Sequence, residues 1–389
     1  MSSAGVDAID AVLRAAVDRG AVPNVVAVAA DADDVIYEGA AGPLAVGGTA
    51  PVGPDSIFRI ASMTKIVTAV AVLRLRDRGD LDVDAPVEDY CPDFTAVQVL
   101  DGFDDGKPRL RAPASRATVR QLVTHTVGLP YGFWNADIVR WEAAGGPDSA
   151  PGGLRGAFAS PMVADPGTRF DYGVSFDWLG LVVEAAGGQP FDDHLADHVF
   201  APLGMGSTGF LVADGQRTRC VPVHAKDAGG SWVATGIDWD QQPSWWSGGH
   251  GVYSTPRDFL RFQRMLLGGG TFAGARILDS SSAREVFTNQ IGDLWVPADM
   301  PTTDPAWSSD FVVGPGKRWG WGLLLETSDQ PGRRAGGSGS WTGIFNTNFW
   351  VDPRNGVAGA FFTQSQPFAA PEALRAYVDF ERALYATRP

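Results

Sequence analysis

Residues 60–73 read Ile-Ala-Ser-Met-Thr-Lys-Ile-Val-Thr-Ala-Val-Ala-Val-Leu, an apolar run with a serine near its start and a single lysine. The run predicts a helix that continues to about Arg78 and stops at Gly79. Ser62 and Lys65 are three positions apart, so a helix places both side chains on one face, with the amine in reach of the hydroxyl. This spacing indicates a serine nucleophile beside a base.

The choice of lysine at position 65 is informative. Only four of the 31 basic residues are lysines, and the rest are arginines. Burial can neutralise a lysine, whereas an arginine stays protonated and cannot act as a base. A lysine that reaches along an apolar helix to solvent would give the same pattern. The position of Ser62 favours catalysis, because free N–H groups at a helix start favour a developing negative charge.

Composition limits the class of protein. A chain of 389 residues with 44% hydrophobic content can bury a large core and form two lobes. The formal net charge is −14 and no basic cluster occurs, which argues against a nucleic-acid or membrane partner. Cys91 and Cys220 are too few for a disulfide framework. With no export signal and no apolar run of ~20 residues, we expect a soluble, cytoplasmic protein.

Strand and helix patterns predict an α/β fold with strands near both ends of the chain. The predicted strands are 25–30, 35–37, 320–326, 344–351 and 357–363, and the predicted helices include 118–128, 176–186, 191–200, 255–267 and 371–385. Residues 137–160, rich in Gly, Ala and Pro, predict a loop. We expect residues 1–80 and 245–389 to form an α/β lobe and residues 81–244 an inserted, mainly helical lobe. The active site would lie in the cleft between them.

A nucleophilic serine needs further groups to move protons, and the usual hydrolase patterns are missing. No Gly-x-Ser-x-Gly elbow occurs, and the histidines are scattered. His125, His224 and His250 fit packed or capping positions better than a triad. His194 and His198 are four apart, but no third ligand is evident, so we expect no metal and no cofactor.

Tyrosine is the remaining candidate. Tyr172 ends the turn-rich stretch Asp-Pro-Gly-Thr-Arg-Phe-Asp at 165–171, just before a predicted helix. A phenolate is favoured beside a lysine cation, so Tyr172 and Lys65 would share one mobile proton. Taken alone, Tyr172 also fits a packed aromatic residue.

Ser62-Met63-Thr64-Lys65 and the Pro-Gly-Thr-Arg-Phe-Asp-Tyr run at 166–172 together resemble the serine β-lactamase-related superfamily, in particular its class C-like branch with the family VIII carboxylesterases. The segments 122–129, 187–191, 202–205 and 249–255 fit the same family. The resemblance implies a β-lactamase/penicillin-binding-protein-like fold, with an antiparallel sheet flanked by helices. It also implies Ser62 as the acylated nucleophile, Lys65 as general base and Tyr172 as acid/base.

The third motif of that family is a Lys-Thr-Gly on the edge strand beside the serine. The best match here is Trp341-Thr342-Gly343, similar to the Trp-Gly-Gly form of family VIII esterases. The match implies that these three residues bind substrate and that the N–H groups of Ile344 and Ser62 form the oxyanion hole. Edge strands have free N–H groups, which such a site requires.

Two departures from the β-lactamase pattern bear on the substrate. Val174 replaces the asparagine of the tyrosine motif, and Trp341 replaces the lysine of the third motif. An anionic β-lactam would lose an amide and a cationic partner, so a neutral ester is favoured. Trp134, Trp245 and Trp246 are candidates for an apolar pocket, although most tryptophans in a chain this size belong to the core.

We therefore predict a serine carboxylesterase that acts on a small-molecule ester through an acyl-enzyme. An acyltransferase on the same scaffold is the main alternative, followed by a hydrolase of small amides or, weakly, of β-lactams. A non-catalytic binding protein is disfavoured because serine, lysine and tyrosine all occur. The sequence leaves the oligomeric state open.

Overall fold

The computed structural model describes residues 1–146, 158 and 160–388. The α-helices in these residues are α1 (Ser3–Asp18), α2 (Thr64–Arg78), α3 (Val119–Val123), α4 (Ala136–Ala143), α5 (Ser175–Gly187), α6 (Phe191–Leu195), α7 (Pro256–Leu267), α8 (Ser280–Glu285) and α9 (Pro371–Ala386). Short 3-10 helices occupy Ala61–Met63, Val87–Asp89, Pro92–Ala96, Gly132–Trp134 and Asp214–Arg219, and a π-helical turn spans Ala196–Phe200.

The main sheet has seven antiparallel strands and joins the two ends of the chain. Its strands are β1 (Val25–Ala30), β2 (Val35–Ala41), β3 (Lys317–Trp319), β4 (Leu324–Glu326), β5 (Gly339–Thr342), β6 (Asn348–Asp352) and β7 (Val357–Phe362). They lie in the order β3-β4-β5-β6-β7-β1-β2. The predicted hairpin near the N-terminus is confirmed, and β1 is buried along its whole length because it pairs with β2 and β7 and is covered on both faces.

The remaining strands in the described residues form five two-stranded ladders. They pair Phe58–Arg59 with Tyr253–Ser254, Val99–Asp104 with Lys107–Arg111, His224–Lys226 with Trp232–Ala234, Thr271–Phe272 with Ala275–Arg276, and Asp299–Met300 with Phe311–Val312. The ladder formed by Phe58 and Arg59 leads directly into the turn that carries Ser62.

Helices cover both faces of the sheet. On one face α1 and α9 pack together over the sheet and bury an apolar cluster that includes Ile9, Leu13, Trp350 and Phe380. The opposite face belongs to the larger core, which contains α2, α5 and α7. The prediction of an antiparallel sheet flanked by helices is therefore confirmed.

Helix α2 is the buried centre of the larger core. Every residue from Thr64 to Leu73 is buried, which explains why the sequence here is apolar on all sides rather than on one stripe. The helix stops at Gly79, whose φ of 79° ends it in the left-handed conformation, as predicted. Ser62 lies in the 3-10 turn immediately before α2.

Several boundaries differ from those predicted. Residues 344–347 form a turn rather than part of a strand, and the strand before that turn, β5, was expected only through the resemblance of Trp341-Thr342-Gly343 to a strand motif of the family. Helix α3 ends at Val123 rather than Gly128, because His125 adopts a positive φ of 55°. Strand β4 begins at Leu324 rather than at residue 320.

The predicted loop at 137–160 is wrong at its start, where α4 runs to Ala143, and most of its remainder lies outside the described residues. The seven sheet strands fall within 1–80 and 245–389, and α3 to α6 fall within 81–244. The division into two lobes at these boundaries stays a prediction. No helix in the described part of the chain has the length and apolar character that crossing a bilayer requires.

Candidate active site

The side chains of Ser62 and Lys65 meet as the sequence predicts. Lys65 is completely buried, and its Nζ lies 3.2 Å from Ser62 Oγ. The same nitrogen lies 3.1 Å from the hydroxyl of Tyr131 and 2.9 Å from the carbonyl oxygen of Gly249. The amine is thus held by three oxygens that come from three separate segments of the chain.

The environment of Lys65 favours the neutral amine. Burial lowers its pKa to about 7, and the carboxylate of Asp177 opposes this shift. At neutral pH a large fraction of Lys65 is therefore uncharged. The alternative of a lysine that extends to solvent is wrong, because no part of this side chain is exposed.

Tyr172 lies against the same pair of residues. Its ring centre is 4.8 Å from Lys65 Nζ, and its hydroxyl accepts a hydrogen bond of 2.9 Å from Trp341 Nε1. Burial raises the pKa of Tyr172 well above its ordinary value, although hydrogen bonds with Ser62 and Trp341 oppose that shift. The expected phenolate is therefore wrong at neutral pH: the buried group is a neutral phenol.

His125 fixes the loop that presents Tyr172. Its carbonyl oxygen accepts the N–H of Asp171 at 2.8 Å, and its ring centre lies 4.5 Å from that of the tyrosine, with the ring planes tilted by 49°. Its Nδ1 lies 2.8 Å from Ser175 Oγ at the start of α5. His125 is thus a buried packing residue, as the sequence suggests, and burial keeps its pKa well below the ordinary value.

Sequence reasoning missed Tyr131. It lies on the short 130–131 segment that pairs with the Tyr172 loop, and its N–H donates to the carbonyl of Tyr172 at 3.2 Å. Burial raises its pKa well above the ordinary value, so the group that contacts Lys65 is a neutral phenol. The available signal was a tyrosine just after the 122–129 segment that matches the family.

A buried polar cluster behind Lys65 was also missed. Asp177 Oδ1 accepts hydrogen bonds from Ser247 Oγ at 2.5 Å and from the N–H of Gly249 at 3.1 Å. This fixes the loop whose carbonyl contacts Lys65. A Cβ at Gly249 would lie 2.9 Å from Asp177 Oδ1 and 3.3 Å from Lys65 Nζ, so only glycine fits there without displacement. An aspartate among the large apolar residues at the start of α5 was the sequence signal.

The third motif lies beside the serine but not on an edge strand. Strand β5 is third from the edge of the sheet, so that expectation is wrong. Its ladder with β4 ends at Ser340, however, which leaves Trp341 and Thr342 paired on one side only. Just after the motif, the N–H of Ile344 donates to no acceptor in the described part of the chain.

Gly343 connects this motif to the serine segment. A Cβ at this position would lie 2.5 Å from the carbonyl oxygen of Ile60 and 2.3 Å from Thr347 Oγ1. The backbone of the motif therefore packs directly on the turn that carries Ser62. Gly343 itself does not line the cavity at Ser62, unlike Trp341, Thr342 and Ile344.

Two cavities meet at this site. A small cavity of about 20 Å³ lies over the serine and is lined by Ser62, Tyr131, Phe133, Trp134, Tyr172, His250, Trp341, Thr342, Ile344 and Phe368. A larger cavity of about 360 Å³ is lined by aromatic residues that include Trp239, Trp245, Trp246 and Trp307, and it shares His250 with the first. The three tryptophans proposed for a pocket, Trp134, Trp245 and Trp246, thus all line one cavity or the other.

The charged side chains that line the larger cavity are acidic. Two aspartates, Asp238 and Asp240, are among its lining residues, and no lysine or arginine in the described chain is. Asp238 is paired with Arg59 at 2.5 Å, behind the cavity wall. No group of three or more metal-binding side chains occurs among the described residues.

Comparison with known proteins agrees with this architecture. The family model described as Beta-lactamase matches residues 9–384. Protein Rv1367c of Mycobacterium tuberculosis is 30% identical over 95% of this chain and 92% of its own, and the lovastatin esterase of Penicillium rubens is 28% identical over 90% and 91%. The solved structure of simvastatin synthase (LovD) from Aspergillus terreus, 26% identical, superposes with a TM-score of 0.85 over 99% of both chains.

The match to the family model covers almost the whole chain, and the solved structure of simvastatin synthase superposes on it from end to end. The chain therefore belongs to the Beta-lactamase family, within the serine β-lactamase-like superfamily.

Proposed function

We propose that this protein is a serine ester hydrolase, of the kind found among family VIII carboxylesterases, that works through an acyl-enzyme. The single observation that carries the proposal is the position of the buried Lys65 amine, 3.2 Å from Ser62 Oγ, with a pKa lowered by burial to about 7. A base whose pKa lies near the working pH is the most effective one.

The contacts of Lys65 fit the role of base. A neutral amine has two N–H donors and one lone pair. The carbonyl of Gly249 can only accept a hydrogen bond, and the hydroxyl of Tyr131 can accept the second. The lone pair is then left for the Ser62 hydroxyl, whose proton must be removed when the serine attacks an ester carbonyl.

Tyr172 supplies the other proton transfer. As a neutral phenol beside Ser62, it can donate a proton to the departing alkoxide and recover one from the water that hydrolyses the acyl-enzyme. In this scheme the N–H groups of Ser62 and Ile344 stabilise the oxyanion, each contributing about 3 kcal/mol. Trp341 and Thr342 bind the substrate from the opposite wall of the cavity.

The lining of the larger cavity supports a neutral ester. Its tryptophans offer apolar contact, and of its two aspartates Asp238 is paired with Arg59, which leaves the carboxylate of Asp240 to repel an anionic β-lactam. Trp341 occupies the position where the family places a lysine, and its N–H donates to Tyr172 instead. The substrate is therefore a small, uncharged carboxylic ester.

Hydrolysis of p-nitrophenyl esters of increasing chain length, with nitrocefin alongside, tests the proposal. We expect turnover of the esters by the wild-type chain, little or none of nitrocefin, and a loss of at least about a thousandfold in Ser62→Ala. Near-normal ester turnover by Ser62→Ala would remove Ser62 from the mechanism.

Acyl transfer is a second candidate, favoured by the relatives. The monacolin J acid methylbutanoyltransferase of Aspergillus terreus is 29% identical over 86% of this chain. The larger, aromatic cavity, which meets the serine cavity at His250, would hold an acceptor alcohol in place of water. Partition of an acyl group between free acid and an added alcohol distinguishes the two activities: ester product in excess of acid at millimolar alcohol indicates a transferase.

A further inference from the structure

His250 is the residue at which the two cavities meet, and the proposed mechanism does not use it. Its imidazole is almost fully buried, yet it lines both the cavity over Ser62 and the aromatic cavity. The ring of Trp239 packs 5.4 Å away at a steep angle, which restricts its rotation. A polar ring held at this junction contacts whatever spans the two cavities.

The hydrogen bonds behind the ring determine where its proton lies. Ser247 Oγ is 2.8 Å from His250 Nδ1 and 2.5 Å from Asp177 Oδ1. A carboxylate can only accept, so the single proton of the Ser247 hydroxyl goes to Asp177. Ser247 Oγ also accepts the N–H groups of Gly249 at 3.2 Å and His250 at 3.1 Å. Because the serine proton is used, its 2.8 Å contact with Nδ1 is a hydrogen bond only if the ring donates, which places the ring proton on Nδ1.

The other ring nitrogen is consequently an acceptor. Burial lowers the pKa of His250 to about 4, with Asp177 opposing and Lys65 reinforcing the shift, so the ring is neutral at pH 7. Nε2 makes no hydrogen bond within the described chain, and it is not among the ring nitrogens sealed inside the protein, as both nitrogens of His194 are. Its lone pair is open to the cavities.

We propose that Nε2 of His250 accepts a hydrogen bond from a hydroxyl group of the substrate, so that the preferred substrates are esters whose larger, apolar part carries a free hydroxyl. The inference rests on the proposed ester chemistry at Ser62 and specifies the substrate class. An acceptor fixed in one tautomer discriminates strongly, because a substrate without a donor would leave it buried and unpaired.

Matched pairs of esters test this inference. The first pair is the monoacetate of 1,4-cyclohexanediol and 4-methoxycyclohexyl acetate, which differ in the hydroxyl donor on the alcohol side. The second pair is the methyl ester of a hydroxycyclohexane carboxylic acid and its methoxy analogue, which places the donor on the acyl side. We expect about a tenfold higher kcat/KM for the hydroxyl member of one pair.

Variants of His250 then test whether this residue causes the preference for the hydroxyl ester. His250→Phe keeps a ring but removes the acceptor, so the ratio within the favoured pair should fall to about one, while His250→Gln, which offers an amide oxygen, should retain part of it. His198→Phe is the matched control, because His198 lies outside both cavities and should leave the ratio unchanged. Equal rates within both pairs in the wild type, or an unaltered ratio in His250→Phe, would overturn the inference.

The tautomer gives a readout that does not depend on turnover. In ¹⁵N-histidine-labelled protein, His250 should show a protonated Nδ1 and an unprotonated Nε2, and Ser247→Ala should weaken that bias. A protonated Nε2 in the wild type would refute the inference. If no ester acylates Ser62, the proposed function fails and the inference falls with it, whereas ester turnover without hydroxyl preference overturns the inference alone.

Discussion

At the scale of single residues, the chemistry depends on how one buried amine is surrounded. Lys65 has neutral hydroxyl and carbonyl oxygens within 3.2 Å, and its charged neighbour is Asp177, which acts from behind the Gly249 loop. Burial and Asp177 act on the amine in opposite directions. The balance between them sets the pH at which Lys65 becomes a base.

Asp177→Asn tests that balance. Asp177 raises the pKa of Lys65 against the effect of burial, so its removal should lower that pKa further. Since the proposed base acts when neutral, the acidic limb of the pH profile of kcat/KM should move to lower pH, by up to about one unit. The exposed Asp193→Asn is the control and should leave the limb in place. A limb that does not move, or moves to higher pH, would contradict this account of Lys65.

Trp341→Phe tests the hydrogen bond to Tyr172. The substitution keeps an aromatic ring but removes the Nε1–H that donates to the phenol at 2.9 Å. A neutral hydrogen bond contributes about 0.5–1.5 kcal/mol, so kcat should fall by about three- to tenfold. Trp350→Phe is matched, because Trp350 is also buried and donates to a tyrosine hydroxyl, that of Tyr385, on the far face of the sheet. An equal loss of kcat in both variants would assign the effect to general destabilisation.

Two site residues are identified by their spacing along the chain alone, whereas Tyr172 is identified by the family motif that it ends. Ser62 and Lys65 share one helical turn, and that relation is visible without a fold. The contacts of Tyr131 with Lys65 and of Ser247 with Asp177 each join distant segments of the chain, and no local pattern predicts such contacts. The phenolate expected for Tyr172 is not favoured because burial, which the sequence does not report, raises the pKa of the phenol by more than its hydrogen bonds with Ser62 and Trp341 lower it.

At the scale of elements, the turn after β5 positions the proposed oxyanion hole. Gly343 donates its N–H to Thr347 at 2.7 Å, and Asn346 adopts a positive φ of 63° to close the turn. The predicted strand at 344–351 overlooked this turn because its residues are apolar enough to continue β6. A one-residue left-handed turn leaves little trace in a hydrophobic pattern.

Gly343→Ala should disturb that turn. A methyl group would meet the carbonyl oxygen of Ile60 at 2.5 Å, so either the turn or the Ser62 segment must shift. We expect a loss of about 1–3 kcal/mol in stability and a lower kcat, since the N–H of Ile344 would move. Gly215→Ala is the control, because a Cβ there meets nothing within 4 Å. Thermal unfolding and ester kinetics measure the two effects, and unchanged kcat would contradict the placement of Ile344.

At the scale of the whole molecule, a buried ion pair anchors the C-terminal helix to the connection between β4 and β5. Glu381 on α9 is fully buried and accepts a hydrogen bond from Arg334 Nη2 at 2.7 Å, beside the hydroxyl of Tyr377. Burial raises the pKa of Glu381, but the charge and hydrogen bonds of Arg334, together with the charge of Arg333, outweigh burial and leave the pKa below its ordinary value. Its contribution to stability is therefore present at neutral pH and is lost as the pH falls through that lowered value.

Glu381→Gln should destabilise the protein by about 3–5 kcal/mol, because it leaves Arg334 buried without a full countercharge. Urea denaturation at pH 7 measures the loss. Glu372→Gln breaks a largely exposed pair with Lys226 at 3.2 Å and should cost less than about 1 kcal/mol. Similar midpoints for the two variants would show that the buried pair does not hold α9 in place.

The overall architecture was predictable because both ends of the chain carry strands and the segment between them carries helices. The larger cavity was not predictable. It forms where residues 236–251 fold against Phe210 and Trp307, and no single segment contains it. The acidic, aromatic lining of the larger one is thus a property of the assembled molecule.

The central claim is that Ser62 becomes acylated, and mass spectrometry of the acid-quenched reaction with p-nitrophenyl acetate measures this directly. We predict one added acetyl group, located on the peptide that contains Ser62, absent in Ser62→Ala and strongly reduced in Lys65→Met. No adduct on the wild-type protein while p-nitrophenol is released, or an adduct on another residue, would contradict the claim.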